Sequence, residues 1–253
     1  MSTRQKTVFV TGASAGFGAA IVRRFAAEGA RVVATARRAD KLAELAAELG
    51  DSVHPLELDV RDRDAVYAAF AELPSAFAEV DVLVNNAGLA KGLNPAQKAD
   101  PDDWQQMIDT NCAGLVHCSR AALPGMVERG RGHVVNLGSV AGTYPYPGGN
   151  VYGATKAFVH QFSLNLRSDL HGTGVRVTSI EPGMVGGTEF SVVRFEGNQD
   201  RADQVYSGMR PLSAEDIAES VHWVTSQPAH VNVNVLELMP VEQSFSPFQV
   251  HRS

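Results

Sequence analysis

Residues 6–18 run Lys6-Thr7-Val8-Phe9-Val10 and then, without a break, Thr11-Gly12-Ala13-Ser14-Ala15-Gly16-Phe17-Gly18. An amphipathic stretch follows, Ala19-Ala20-Ile21-Val22-Arg23-Arg24-Phe25-Ala26. A β-rich apolar run, a glycine turn and a helix start in that order leave few folds open. Gly12, Gly16 and Gly18 permit positive φ and close backbone approach. Backbone N–H groups and the positive helix end then converge on one point, where an anion is favoured. The spacing G-x-x-x-G-x-G is a variant of the dinucleotide fingerprint, so a pyrophosphate is the expected occupant. The plain alternative is a tight strand-to-helix turn with no ligand.

The remainder repeats the same alternation. Strands are expected near 7–11, 31–36, 53–58, 82–86, 133–138, 175–180 and 233–238, and helices near 17–28, 40–49, 62–72, 101–129, 150–171 and 213–226. Strict alternation predicts an α/β fold: a Rossmann-type, doubly wound parallel sheet of seven strands, with right-handed crossovers. No linker or repeat divides the chain, so residues 1–253 read as one domain. Residues 183–210 break the pattern. Gly183, Gly186, Gly187, Gly197 and Gly208 punctuate a stretch with no clean period, beyond the C-terminal end of a strand. Ligands bind there in open sheets, so this stretch is a candidate substrate lid.

The second expected strand, Arg31-Val32-Val33-Ala34-Thr35-Ala36, ends in Arg37-Arg38. An acid at this point grips the ribose hydroxyl of NAD, whereas Arg accommodates the 2′-phosphate of NADP. Arginine forks suit phosphate oxygens in geometry and charge. Ser14 can add a hydroxyl donor, and Asp40 falls later, in the first turn of the next helix. NADP is therefore the expected cofactor.

Further on stand Ser139, Tyr152 and Lys156. Tyr and Lys at i and i+4 of a helix share a face. A positive neighbour favours the phenolate, so Lys156 is expected to pull the Tyr152 pKa from about 10 toward working pH. A residue so tuned exchanges a proton with a substrate oxygen. Ser139, from a separate strand, can hydrogen-bond that oxygen.

With these residues placed, the chain resembles the short-chain dehydrogenase/reductase family over nearly its whole length. The resemblance implies that Asp59, with Val60, meets the adenine. Asn85-Asn86-Ala87-Gly88 steadies the sheet and lines the cofactor site, with Phe17 in the glycine loop also at the cofactor. Pro182-Gly183 and Val185 lie against the nicotinamide, with Thr188 at its carboxamide. Asn111 is the fourth catalytic member, organising a proton path, and Lys156 also holds the nicotinamide ribose. Asp109-Thr110-Asn111, Tyr146 to Tyr152 and Pro182 to Phe190 are similar to one branch of the family, the NADP-dependent 3-hydroxy acid dehydrogenases. That branch acts on L-serine, L-allo-threonine and malonic semialdehyde. A 3-oxoacyl-carrier-protein reductase, or another carbonyl reductase of the family, and a non-catalytic NADP sensor are the alternatives.

A small hydroxy acid needs a cation for its carboxylate. Arg194, flanked by apolar residues, is the candidate, with a surface or subunit contact as the equal alternative; Arg201 and Lys91 follow. The histidines show no metal-ligand spacing, and Cys112 and Cys118, roughly 9 Å apart along one helix, suit packing rather than a disulfide or zinc. The net charge of −6 argues against nucleic acid or an anionic membrane as partner. With no apolar run of membrane length and no signal segment, the expected setting is cytoplasmic. The apolar tail, residues 239–253, needs a surface to bury against. The resemblance implies a homotetramer, built through the 101–129 and 150–171 helices.

Overall fold

The computed structural model describes residues 5–195 and 197–245, apart from the side chains of 201–203. Seven parallel strands form one sheet in the order β3-β2-β1-β4-β5-β6-β7. They are β1 Thr7–Thr11, β2 Arg31–Ala36, β3 Val53–Glu57, β4 Val82–Asn85, β5 Gly132–Leu137, β6 Val175–Pro182 and β7 Val235–Leu238. Helices α1 Gly16–Ala27, α2 Ala39–Leu49 and α3 Arg63–Ala71 connect the first four strands. Helices α4 Pro101–Ile108 and α5 Leu115–Glu128 lead into β5, and α6 Asn150–Asp169 leads into β6. Between β6 and β7 come α7 Glu189–Arg194, α8 Gln199–Gln204 and α9 Ala214–Ser226.

Strand periodicity divides the core between the two faces of the sheet. Val8 and Val10 join Val32, Ala34, Ile21 and Ile217 on one side. Phe9 and Val33 join Leu83, Val134 and Met126 on the other. Phe9 stacks on Phe70 of α3 with ring centroids 4.3 Å apart. Between β1 and β4 the strand order reverses, which opens a crevice at their carboxyl ends.

Two expectations need correction. The single helix expected over 101–129 is interrupted by a π turn, Asp109–Gly114. The wider turn carries Asn111 inward, where its amide bonds both backbone groups of Leu89. Gly114 permits this path, since a Cβ there would lie 2.6 Å from Val60 Cγ2. The aperiodic stretch 183–210 contains two short helices, α7 and α8, too brief for a hydrophobic period to declare itself.

One buried group makes a prediction about stability. His133 on β5 is 1% exposed. Its Nε2 lies 2.8 Å from Thr178 Oγ1, and the Thr178 hydroxyl donates to Val233 O at 2.7 Å. Nε2 therefore carries the ring hydrogen, and Nδ1 has no partner among the described residues. Burial, reinforced by Arg176 and Lys6, pushes this imidazole down to about 3. The folded chain keeps it neutral while the unfolded chain protonates it below about pH 6.5. Its contribution is thus complete above that pH and is lost as pH falls toward the folded value. Between pH 7.5 and 5 this group alone should remove about 2 kcal/mol of stability. Urea unfolding of His133→Leu at fixed protein concentration should show a correspondingly shallower pH dependence. Equal acid sensitivity in both proteins would contradict this.

Candidate active site

The crevice at the reversal point is a cavity of about 750 Å³. The glycine turn forms its floor. Gly12 and Gly16 have φ of +67° and +51°, and a Cβ on Gly12 would lie 2.9 Å from Ala87 Cα. No side chain caps the N-terminus of α1. Its free N–H groups and the missing Cβ atoms together fit a pyrophosphate. Gly18 does not line the cavity; it packs beneath, where a Cβ would crowd Ala13 Cα and Asn86 Nδ2 at 2.8 and 2.7 Å.

The other cofactor positions expected from sequence do line the cavity. Ser14, Phe17, Arg37 and Arg38 stand at one end with Asp59 and Val60. Asn86, Ala87 and Gly88 form a wall just after β4, and Pro182, Gly183, Val185 and Thr188 line the cavity from the end of β6 onward. Asn86 Nδ2 donates to Thr11 O and Gly12 O at 2.8 and 3.2 Å, locking β4 to the glycine turn. Asn85 works inside the sheet instead, donating to Asn136 Oδ1 and Ser119 Oγ at 2.8 and 2.9 Å. Asp59 is held by Arg61 through Nε and Nη2, and this guanidinium keeps the carboxyl below its ordinary value. The Thr188 hydroxyl accepts from Phe190 N at 3.4 Å, so it caps α7.

Ser139, Tyr152, Lys156 and Arg194 face the same space. The Ser139 hydroxyl accepts from Ala141 N at 3.1 Å. Lys156 Nζ donates to Leu137 O at 2.7 Å and lies 5.8 Å from the centroid of the Tyr152 ring. Asn111 stays behind the wall. Its amide donates to Thr155 Oγ1 at 3.0 Å and to Leu89 O at 2.9 Å, and Thr155 in turn bonds Tyr152 O.

The electrostatics correct the expectation for Tyr152. Burial pushes the phenol up to about 12; Tyr146 adds to this, while a Ser139 hydrogen bond and the Arg194 charge oppose it. Burial also lowers Lys156 to about 8. Desolvation disfavours the charged form of both groups and is the largest influence on each. At neutral pH Tyr152 therefore carries its proton and Lys156 its charge.

Around the tyrosine stand residues to which the sequence assigned no role. Tyr146 OH accepts from Arg194 Nη2 at 2.6 Å, and the Arg194 guanidinium lies 5.6 Å from the Tyr152 ring centroid. Phe190 sits 5.8 Å from the same ring. Arg194 makes no ion pair among the described residues, whereas Lys91 is paired with Asp103 at 3.6 Å. The Arg201 side chain lies outside the described residues. From the tail, Gln243 Oε1 accepts from Met184 N at 2.7 Å, and Phe245 packs on Tyr144 with centroids 4.6 Å apart. Residues 246–253 of the tail lie outside the described residues.

Cys112 and Cys118 are free thiols. No helix among the described residues is long and apolar enough to cross a membrane. No cluster of metal-binding side chains occurs among the described residues.

Comparison with known proteins agrees with this geometry. The chain is 60% identical over 246 residues to the NADP-dependent 3-hydroxy acid dehydrogenase of Salmonella typhi, covering 97% of this chain and 99% of that one. It is 56% identical to the serine 3-dehydrogenase of Rhizobium radiobacter, covering 97% and 98%. Among solved structures it is similar to the closed form of a serine dehydrogenase complexed with NADP+, with TM-score 0.97 and 59% identity, covering 98% and 100%. The family described as short chain dehydrogenase matches residues 6–199. With the glycine-floored crevice and the Ser139–Tyr152–Lys156 constellation in one cavity, this chain belongs to the short-chain dehydrogenase family.

Proposed function

We propose that this chain is an NADP-dependent dehydrogenase of small 3-hydroxy acids, with residues 183–210 as a lid over the reacting carbon. The carrying observation is that Ser139, Tyr152, Lys156 and Arg194 open onto the same cavity as the uncapped N-terminus of α1. NADP, when bound, takes up or delivers the hydride. In reduction Tyr152 donates its phenolic proton to the substrate oxygen. In oxidation it first gives up its own proton to solvent and then, as the phenolate, takes the hydroxyl proton. Ser139 hydrogen-bonds the reacting oxygen. Lys156, still charged at neutral pH, stabilises the phenolate as it forms. Asn111 fixes Leu89 and, through Thr155, the turn that carries Tyr152.

Arg194 pairs with the substrate carboxylate and turns the β-carbon toward the cofactor. Steady-state kinetics with L-serine, L-allo-threonine, 3-hydroxypropionate and 3-hydroxyisobutyrate test this. Arg194→Gln should raise KM for the best acid about 10- to 100-fold, the scale of one charge-assisted contact. The corresponding hydroxy amide should be turned over equally by both proteins. An equal loss for acid and amide would mean that Arg194 supports the fold through Tyr146 instead.

We further infer a homotetramer in a cytoplasmic setting, which the two free thiols suit. Val127 of α5 and Phe158 of α6 are exposed apolar side chains, and Trp223 of α9 is exposed on the side of the edge strand β7. Such faces are where a second copy buries surface. Light scattering at micromolar concentration should give about four chain masses; a value near 27.0 kDa would exclude the assembly.

A further inference from the structure

Arg38 and Glu189 lie 151 residues apart in sequence, yet they meet at the rim of the cavity. Arg38 Nη1 donates to Glu189 Oε1 at 3.2 Å and Nη2 to Oε2 at 2.9 Å. The other edge of the same guanidinium, Nε and Nη2, donates to Ser14 Oγ at 3.1 and 3.0 Å. A guanidinium carries five N–H donors in a rigid fork, and these four bonds occupy both of its bidentate edges. A phosphate monoester needs such an edge. Arg37, by contrast, forms no hydrogen bond or ion pair among the described residues. Glu189 is the first residue of α7, immediately after Thr188, and Thr188 Cβ lies 3.5 Å from where a side-chain carbon on Gly16 would stand.

We propose that Glu189 is a built-in competitor for the 2′-phosphate of NADP: it holds Arg38 until that phosphate takes over the edge, and the exchange releases the first turn of α7. This rests on the reading of Arg37–Arg38 as the phosphate site and of 183–210 as the lid. Both partners are solvent-exposed, so the exchange is easy and sensitive to salt. Since NAD lacks the competing anion, Glu189 lowers the preference for NADP and ties it to lid position. By linkage, whatever frees the lid must tighten phosphate binding by the same factor.

The probes are 2′,5′-ADP and 5′-AMP, titrated calorimetrically into full-length wild type and Glu189→Gln. The variant should bind 2′,5′-ADP about three- to fivefold more tightly, with 5′-AMP unchanged, and the gain should shrink as salt rises. In wild type, 2′,5′-ADP but not 5′-AMP should speed hydrogen exchange at residues 189–195, a readout that requires no variant. Unchanged or weaker 2′,5′-ADP binding by Glu189→Gln overturns the competitor role, as does unaltered exchange in wild type. If wild type binds the two nucleotides equally, the phosphate site itself is wrong, and the proposal falls with it.

Discussion

Tyr152→Phe should lower kcat by a factor on the order of 10² to 10⁴, the scale of losing a general acid/base. The substitution suits this test because the ring is 8% exposed and packed beside Phe190, so a phenyl group keeps the contacts and loses only the hydroxyl. NADPH affinity, read by fluorescence, should change little. Lys156→Ala should behave differently, reducing turnover and cofactor affinity together, since the same side chain is expected to hold the ribose. Its buried ammonium donates to Leu137 O, and removal leaves that carbonyl without this donor. Near-native turnover by Tyr152→Phe would place the proton transfer on another group.

Arg37→Ala combined with Arg38→Ala should weaken NADPH binding by about 10²- to 10³-fold while leaving NADH within a few-fold. Charge-assisted contacts contribute roughly 1.5–3 kcal/mol each, and the lower half applies because both side chains are exposed and screened. The two arginines should contribute unequally. Arg37 has no side-chain bond to give up among the described residues, whereas Arg38 must exchange Glu189 for the phosphate. Arg37→Ala alone should therefore show the larger loss. Equal losses for NADPH and NADH in the double variant would show that the arginines support the loop rather than read the phosphate.

Repeating local patterns determine the framework. Val8-Phe9-Val10 alternates between two buried faces, and the glycine turn after it fixes where the first crossover begins. Each expected strand appears within a residue or two of its expected bounds, because β-branched runs between polar turns carry a period that neighbours in space do not alter. The cavity-lining glycines, Arg37-Arg38, Ser139, Tyr152 and Lys156 were legible for a related reason. The glycines, Arg37-Arg38 and Ser139 follow strand ends, which in a doubly wound sheet meet at one crevice. The i, i+4 pair Tyr152 and Lys156 sits in the first turns of α6, which open onto it.

What the chain could not declare locally was decided by contacts between distant segments. The π turn exists where Asn111 meets Leu89, 22 residues away, a pairing that no helical period encodes. Arg194 found Tyr146, Gln243 found Met184, and Arg38 found Glu189 across the assembled crevice. The charge state of Tyr152 makes the difference plainest. Its i+4 lysine suggested a depressed pKa, but the folded chain buries both groups, and the cost of desolvating a phenolate exceeds the help of the Ser139 hydrogen bond and the Arg194 charge. Spacing along the sequence sets which groups can meet; only the packed structure sets how much water each one loses.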